Sequence, residues 1–326
     1  MASRWRSFAT RPMTTPSPSS DRGPLLNRLL KKMGSCLVGL LLPLAAQADT
    51  SQTASVPVPR IATVDWTIAE TLLALGVTPL AVGDVGSYRA WVGEPLLPAA
   101  VVDIGQRAQP NRELLAELKP DRILISPLAA PLAPTLSRIA PVQSIALYEP
   151  DADLWQRLHE ATLTIAALVD KTTEAEQLLA GLDQDLAQMR ATLPEELPPL
   201  LVVQFIDERH VRVFGRHSLF EAVMQRLGLR NGWQGETNAW GFAVASLEQL
   251  MALPQARLVV VDPIPVGVSE RLQEPGLWQQ LPQVRAAAVL HLPAVWSFGG
   301  VLAARRFAVQ LSTALQQDGQ SGEGLQ

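Results

Sequence analysis

Five tryptophans stand beside turn residues at the expected ends of strands: Trp66, Trp91, Trp233, Trp240 and Trp296. Open α/β sheets bind ligands beyond the carboxyl ends of their strands, so large rings there suit a cleft for a bulky, partly apolar ligand. A lone indole is most often core packing, but five at loop junctions are harder to explain that way. Trp155 and Trp278 fall on helical stretches and are read as packing. Arg107 closes Asp103-Ile104-Gly105-Gln106-Arg107, directly after an aliphatic run. A guanidinium in that place presents several donors to anionic ligand oxygens.

Bond-making machinery is missing from the sequence. There is no G-x-S-x-G elbow, no G-x-x-x-x-G-K-[ST] loop and no H-E-x-x-H. One cysteine excludes a disulfide framework and a thiolate metal site, and histidines scattered at 159, 210, 217 and 291 support no histidine-rich one. His210 and His217 read as structural or exposed, and Asp207-Glu208 as a turn. No catalytic residue and no metal ligand is therefore assigned. With no basic run and a net charge of −4, no nucleic-acid partner is expected.

The elements that must position the cleft alternate short aliphatic runs with amphipathic stretches. Ile61–Val64, Val101–Ile104 and Ile123–Ile125 read as buried strands, with helices at Ile68–Leu75, Glu113–Leu118 and Thr135–Ile139 between them. A second set follows: strands Leu201–Phe205, Val211–Phe214 and Val259–Val261, and helices Leu219–Leu227 and Leu302–Leu315. Each set is the pattern of a parallel-sheet α/β lobe. Between them Ile165, Leu168, Ala175, Leu179, Leu182, Leu186 and Met189 recur at helical spacing. Thr173 with Glu176 reads as a capping box, and Pro194 stops the helix. The fold expected is α/β, two parallel-sheet lobes joined by a long helical connector that limits their relative motion. The lobes also share one unit. Asn111-x-Glu113-x-Leu115-x-x-Leu118 precedes Arg122 and a strand, and Ser246-x-Glu248-x-Leu250-x-x-Leu253 precedes Arg257 and another.

The N-terminus reads as a secretory signal. Arg28, Lys31 and Lys32 form the charged start, Cys36–Leu44 the short apolar stretch, and Ala46-Gln47-Ala48 the small-x-small cleavage pattern. Cys36 precedes the apolar run, which argues against a lipoprotein. The divisions expected are a signal peptide over 1–48, an N-terminal lobe over 49–150, a connector over 151–194 and a C-terminal lobe over 195–326. Seven basic and one acidic residue lie in the signal, leaving 20 basic and 30 acidic side chains, a formal −10. An acidic, exported chain without cysteine fits the bacterial periplasm.

Read together, these segments resemble the ferric-hydroxamate (ferrichrome-type) siderophore-binding proteins that serve bacterial ABC importers. The likeness rests on Asp65-Trp66 through Leu72-Leu73-Ala74-Leu75-Gly76-Val77-Thr78-Pro79, on Tyr88-Arg89-Ala90-Trp91-Val92-x-Glu94-Pro95, and on Val102-Asp103-Ile104-Gly105. It continues in Arg138-Ile139-Ala140-Pro141 and Val213-Phe214-Gly215-x-x-Ser218-Leu219-Phe220. The most distinctive matches are Trp233-Gln234-Gly235-Glu236-Thr237-Asn238-x-Trp240-Gly241 and Pro293-Ala294-Val295-Trp296. The resemblance implies two lobes and a helical backbone holding an iron-loaded siderophore in a shallow aromatic cleft. The partners implied are that siderophore and an inner-membrane ABC permease, with the protein a monomer. No cofactor is implied, because iron enters only inside its chelate. The family's hydroxamate-binding arginine falls on Arg107, and its cleft aromatics fall on the five tryptophans. Asn238 lies in the ligand-contacting motif.

Three departures from the pattern matter. The family's cleft tyrosine after the Ile123–Ile125 strand is here Ala129, Phe298 replaces a second tyrosine, and Arg212 stands at an apolar cleft position. Fewer hydroxyls and one more cation suit a siderophore with free carboxylates better than a neutral one. Other readings are a binder of another bulky chelate such as a corrinoid or haem, a secreted α/β hydrolase, or a docking protein. The chelate alternatives would not require Arg107, and the hydrolase lacks a nucleophile elbow.

Overall fold

A computed structural model describes residues 58–149 and 152–323. The signal segment expected over residues 1–48 lies outside them. The first lobe is built from β1 (Ile61–Thr63), α1 (Trp66–Ala74), β2 (Ala81–Val82), α2 (Val85–Trp91), β3 (Val102–Asp103), α3 (Arg112–Leu118), β4 (Arg122–Ile125), a 3-10 helix (Pro127–Leu132), α4 (Ala133–Leu136) and β5 (Val142–Ser144). Its five strands are all parallel, in the order β3-β2-β1-β4-β5. The order reverses between β1 and β4, so the loops after those strands diverge and leave a crevice at their carboxyl ends.

Two connector helices follow, α5 (Leu154–Leu168) and α6 (Thr172–Thr192). At about 1.5 Å per residue, α6 is roughly 31 Å long. Its start differs from the expected capping box. Lys171 occupies the N-cap with no side-chain cap, and Thr173 is already inside the first turn. Lys171 instead pairs with Glu174 at 2.5 Å, placing a carboxylate in the first turn where the helix dipole favours it.

The second lobe comprises β6 (Leu200–Phe205), β7 (His210–Phe214), α7 (Leu219–Arg226), β8 (Phe242–Ser246), α8 (Leu247–Met251), β9 (Arg257–Val261), α9 (Val268–Gln273), α10 (Leu277–Gln280), α11 (Pro282–Arg285), β10 (Val289–Leu292) and α12 (Val301–Glu323). Its sheet runs β10-β9-β6-β7-β8. Strands β10, β9 and β6 are parallel, whereas β7 is antiparallel to both neighbours. This sheet is therefore mixed rather than wholly parallel. The physical reason is the link Ile206–Arg209, too short for a crossover. Asp207 tightens it by accepting the backbone N–H of Arg209 and His210 at 2.8 and 2.7 Å.

The unit shared by the lobes has the same form in both. Asn111 caps α3 by accepting from the Leu114 N–H. Ser246 caps α8 within a capping box completed by Gln249. Each helix leads into a strand beside its lobe's first, β4 beside β1 and β9 beside β6.

Apolar burial divides into three clusters. One lies on the outer face of the first sheet (Ile104, Leu115, Ile123, Leu136) and one on the outer face of the second (Val203, Val213, Leu258, Trp278). The largest runs from α1 through α5 and α6 to α7 and α12. This largest cluster therefore packs both lobes against the connector helices. Trp155 sits in it as packing, with the Arg226 guanidinium 3.9 Å above its ring.

Candidate functional site

The crevice is built from strand ends. After β1, Asp65 accepts the N–H of Thr67 at 2.9 Å and of Ile68 at 3.3 Å, fixing the first turn of α1. After β3, the chain brings Arg107 back over that turn. Its Nε donates to the Val64 carbonyl at 2.9 Å, and a terminal nitrogen reaches Asp65 Oδ2 at 3.5 Å. The guanidinium also lies 4.4 Å from the Trp66 ring centroid and 5.8 Å from that of Trp296. Two of its five N–H donors are thereby used, and the rest are free to meet a ligand.

Opposite stands the second lobe's segment from Trp296 to Gly300, held to the first lobe by side chains. Thr67 donates its hydroxyl to the Phe298 carbonyl at 2.7 Å and accepts from Trp296 Nε1 at 3.1 Å. Tyr148 donates to the Gly299 carbonyl at 3.0 Å. Glu70, buried on α1, accepts the Gly300 N–H at 2.5 Å, just before α12 begins. Burial pushes the Glu70 carboxyl up to about 8; the Gly300 bond and Arg306 oppose this, and Asp65 adds to it. Burial likewise raises the Tyr148 phenol far above its ordinary value.

Between the lobes is a cavity of about 380 Å³, the size of a small-molecule site. Arg107, Arg212, Trp240, Trp296 and Phe298 line it, together with Tyr148 and Phe242. The rings form one cluster around Phe298, whose centroid is 5.2 Å from Trp296, 5.6 Å from Trp240 and 6.1 Å from Tyr148.

Trp66 and Trp91 stand behind this wall. Trp66 is buried, donates Nε1 to the Gly83 carbonyl at 2.8 Å and supports both Arg107 and Trp296. Trp91 packs edge-on against Trp296 at 6.5 Å. Trp233 is elsewhere. It packs in the cluster on the outer face of the second sheet, where Gly215 and Gly235 approach its ring so closely that added Cβ atoms would lie 2.8 and 2.9 Å from it. Asn238 does not line the cavity either. Its side-chain oxygen accepts the N–H of Trp240 at 2.9 Å and of Phe242 at 3.3 Å, so it braces the loop that carries Trp240. Gly241, at φ +75, completes that turn, where a Cβ would collide with the Ser218 backbone.

The loop after β4 also departs from expectation. Ser126, Pro127 and Leu128 line the cavity, while Ala129 packs toward the outer core of the first lobe. The 3-10 helix rotates position 129 away from the crevice. Tyr148 and Phe242 were missed by sequence reasoning. The signal available was Tyr148's place just beyond the β5 run, at another strand end. Among the described residues, no group of three His, Cys, Asp or Glu side chains is placed to hold a metal ion, and no helix is long and apolar enough to cross a membrane.

Two α/β lobes and a helical backbone around an aromatic, arginine-bearing crevice define a protein that captures a ligand rather than transforms it. The family model described as periplasmic binding protein matches residues 61–295, and the chain belongs to that family. Among curated proteins it is 36 % identical over 276 residues to the iron(3+)-hydroxamate-binding protein FhuD of Escherichia coli, covering 84 % of this chain and 93 % of that protein. It is 28 % identical over 255 residues to the Fe(3+) dicitrate-binding periplasmic protein FecB of Escherichia coli, covering 76 % and 82 %. Among solved structures it is similar to the Desferal-bound siderophore-binding protein FhuD of Vibrio cholerae, with a TM-score of 0.75 and 29 % identity over 79 % of this chain and 97 % of that one.

Proposed function

We propose that this chain captures ferric hydroxamate siderophores in the periplasm and delivers them, as a monomer, to an inner-membrane ABC permease. One observation carries the reading: Arg107 is held by Val64 and Asp65 at a strand end, against Trp66, with N–H donors left for a chelate in the aromatic crevice. Hydroxamate oxygens on iron carry negative charge, and a guanidinium meets them with charge-assisted hydrogen bonds. The rings of Trp240, Trp296 and Phe298 provide apolar area for the chelate's linkers. Iron reaches the protein already coordinated, so the chain supplies no ligand to it. The leader expected over residues 1–48 and the hydroxamate-binding relative support the assignment.

Intrinsic fluorescence tests it. Ferrichrome should quench the indole emission saturably, because Trp240 and Trp296 line the cavity and Trp66 and Trp91 touch Trp296. Cyanocobalamin and haemin serve as competitors. Tighter binding of either would overturn the hydroxamate reading in favour of another bulky chelate. Trp233→Phe should leave the affinity within about twofold, as expected of a residue outside the site. A larger loss would place Trp233 back in the cleft.

A further inference from the structure

Arg212 differs from the other charged groups around the cavity, Asp65 and Arg107. It extends from β7, between Gln204 of β6 and Val244 of β8 in the ladder. Its guanidinium lies 5.6 Å from the Phe242 centroid and 6.0 Å from that of Trp91, on the other lobe. It is partly buried and, among the described residues, forms no hydrogen bond and no ion pair. Cation–π contact offsets part of the cost of that burial, but a guanidinium withdrawn from water ordinarily retains a counter-charge. Burial without one also holds its pKa below the ordinary arginine value.

The surrounding charges make the imbalance definite. Among the described residues Asp65 is the single carboxylate lining the cavity, and it is committed to the α1 cap and to Arg107. Glu70 lies behind the wall, engaged with Gly300. Two guanidinium groups therefore face one carboxylate, and the excess positive charge is that of Arg212. Among the rings of the cavity no hydroxyl is left for the ligand, because Phe298 has none and the Tyr148 hydroxyl donates to Gly299.

We propose that this crevice selects anionic ferric chelates, those bearing a free carboxylate beyond the iron-binding groups, and that Arg212 is the residue that selects them. The inference rests on the siderophore-capture reading and specifies its substrate class. The carboxylate supplies the counter-ion Arg212 lacks, while Arg107 engages the chelating oxygens. A neutral chelate leaves Arg212 unpaired.

The test compares ferric aerobactin, an anionic citrate-bridged dihydroxamate, with ferrichrome, a neutral tris-hydroxamate. Affinities are measured by fluorescence in the parent, Arg212→Gln and Arg212→Lys. Arg212→Gln should weaken ferric aerobactin about tenfold, the scale of a charged hydrogen bond, and change ferrichrome by no more than about twofold. Arg212→Lys should recover part of the loss. Raising salt from about 0.05 M to about 0.5 M should lower the parent's preference for the anionic chelate. Equal losses for both chelates in Arg212→Gln, or none for either, would overturn the selection and leave siderophore capture standing. Failure of the parent to bind either chelate would instead remove the reading beneath it, and the inference with it.

Discussion

Stability should fall as pH rises from about 5.5 to about 8.5, and Glu70→Gln should flatten that dependence. Glu70 sits on α1 with Oε1 on the Gly300 N–H, Oε2 buried without a partner, and its pKa raised to about 8 from an ordinary 4.5. Its electrostatic neighbours are Asp65 on the same element, Arg306 on α12 and the phenols of Tyr88 and Tyr148. Because the folded pKa lies above the unfolded one, the native state binds the extra proton between them. The stabilisation is fully present below about 4.5 and is lost as pH rises through about 8. Its steepest slope is about 1.4 kcal/mol per pH unit, so two units inside the window remove roughly 2–3 kcal/mol. Glutamine keeps an acceptor for Gly300 and cannot ionise. Denaturant melts of both proteins across the range read the difference, in which the four histidines, present in both, cancel. Parallel pH profiles would show that Glu70 is ionised throughout. The consequence reaches the site, because Glu70 anchors the second lobe's Trp296–Gly300 segment to the first lobe.

How much of this was legible in the sequence follows from distance along the chain. Strand-forming runs such as Leu201–Phe205 and Val259–Val261 declare themselves because burial on both faces demands continuous aliphatic residues. The places of Trp240, Trp296 and Arg107 around the cavity were legible for a related reason, since strand-end loops flank the crevice of an open α/β sheet. Glu70 was not legible. In sequence it is one more acid on a helix, and its partner Gly300 is 230 positions away. Trp233 shows the opposite failure: it borders a turn and belongs to the same motif as Trp240, yet the sheet passes between them. Seven residues suffice to carry the loop from the outer core to the crevice, and residue type alone does not say where it crosses. Ala129 fails more finely. Homology supplies a position along the loop, whereas the 3-10 helix sets its rotation and presents Leu128 instead.

Arg107→Ala should weaken binding of ferrichrome roughly ten- to a hundredfold, the equivalent of about 1.5–3 kcal/mol for a charged hydrogen bond, with little effect on folding. The fold is insulated because the α1 cap does not depend on the guanidinium. Asp65 Oδ1 holds Thr67 and Ile68, whereas Arg107 reaches Oδ2 at a long 3.5 Å. The ion pair is moreover partly exposed, at 26 % and 10 % of the two side chains, so solvent screening keeps its own contribution small. What the substitution removes is the set of donors held in a fixed plane by Val64 and by the Trp66 ring beneath. Arg107→Lys separates charge from geometry: an ammonium restores the charge but neither the planar fork nor the stacking, so most of the loss should persist. Recovery to parental affinity in Arg107→Lys would mean that charge alone binds the chelate. Unaltered affinity in Arg107→Ala, with an unchanged melting curve, would remove Arg107 from the site altogether. Because Asp65 still caps α1 in either variant, a loss of binding with normal melting can be attributed to the ligand contact itself.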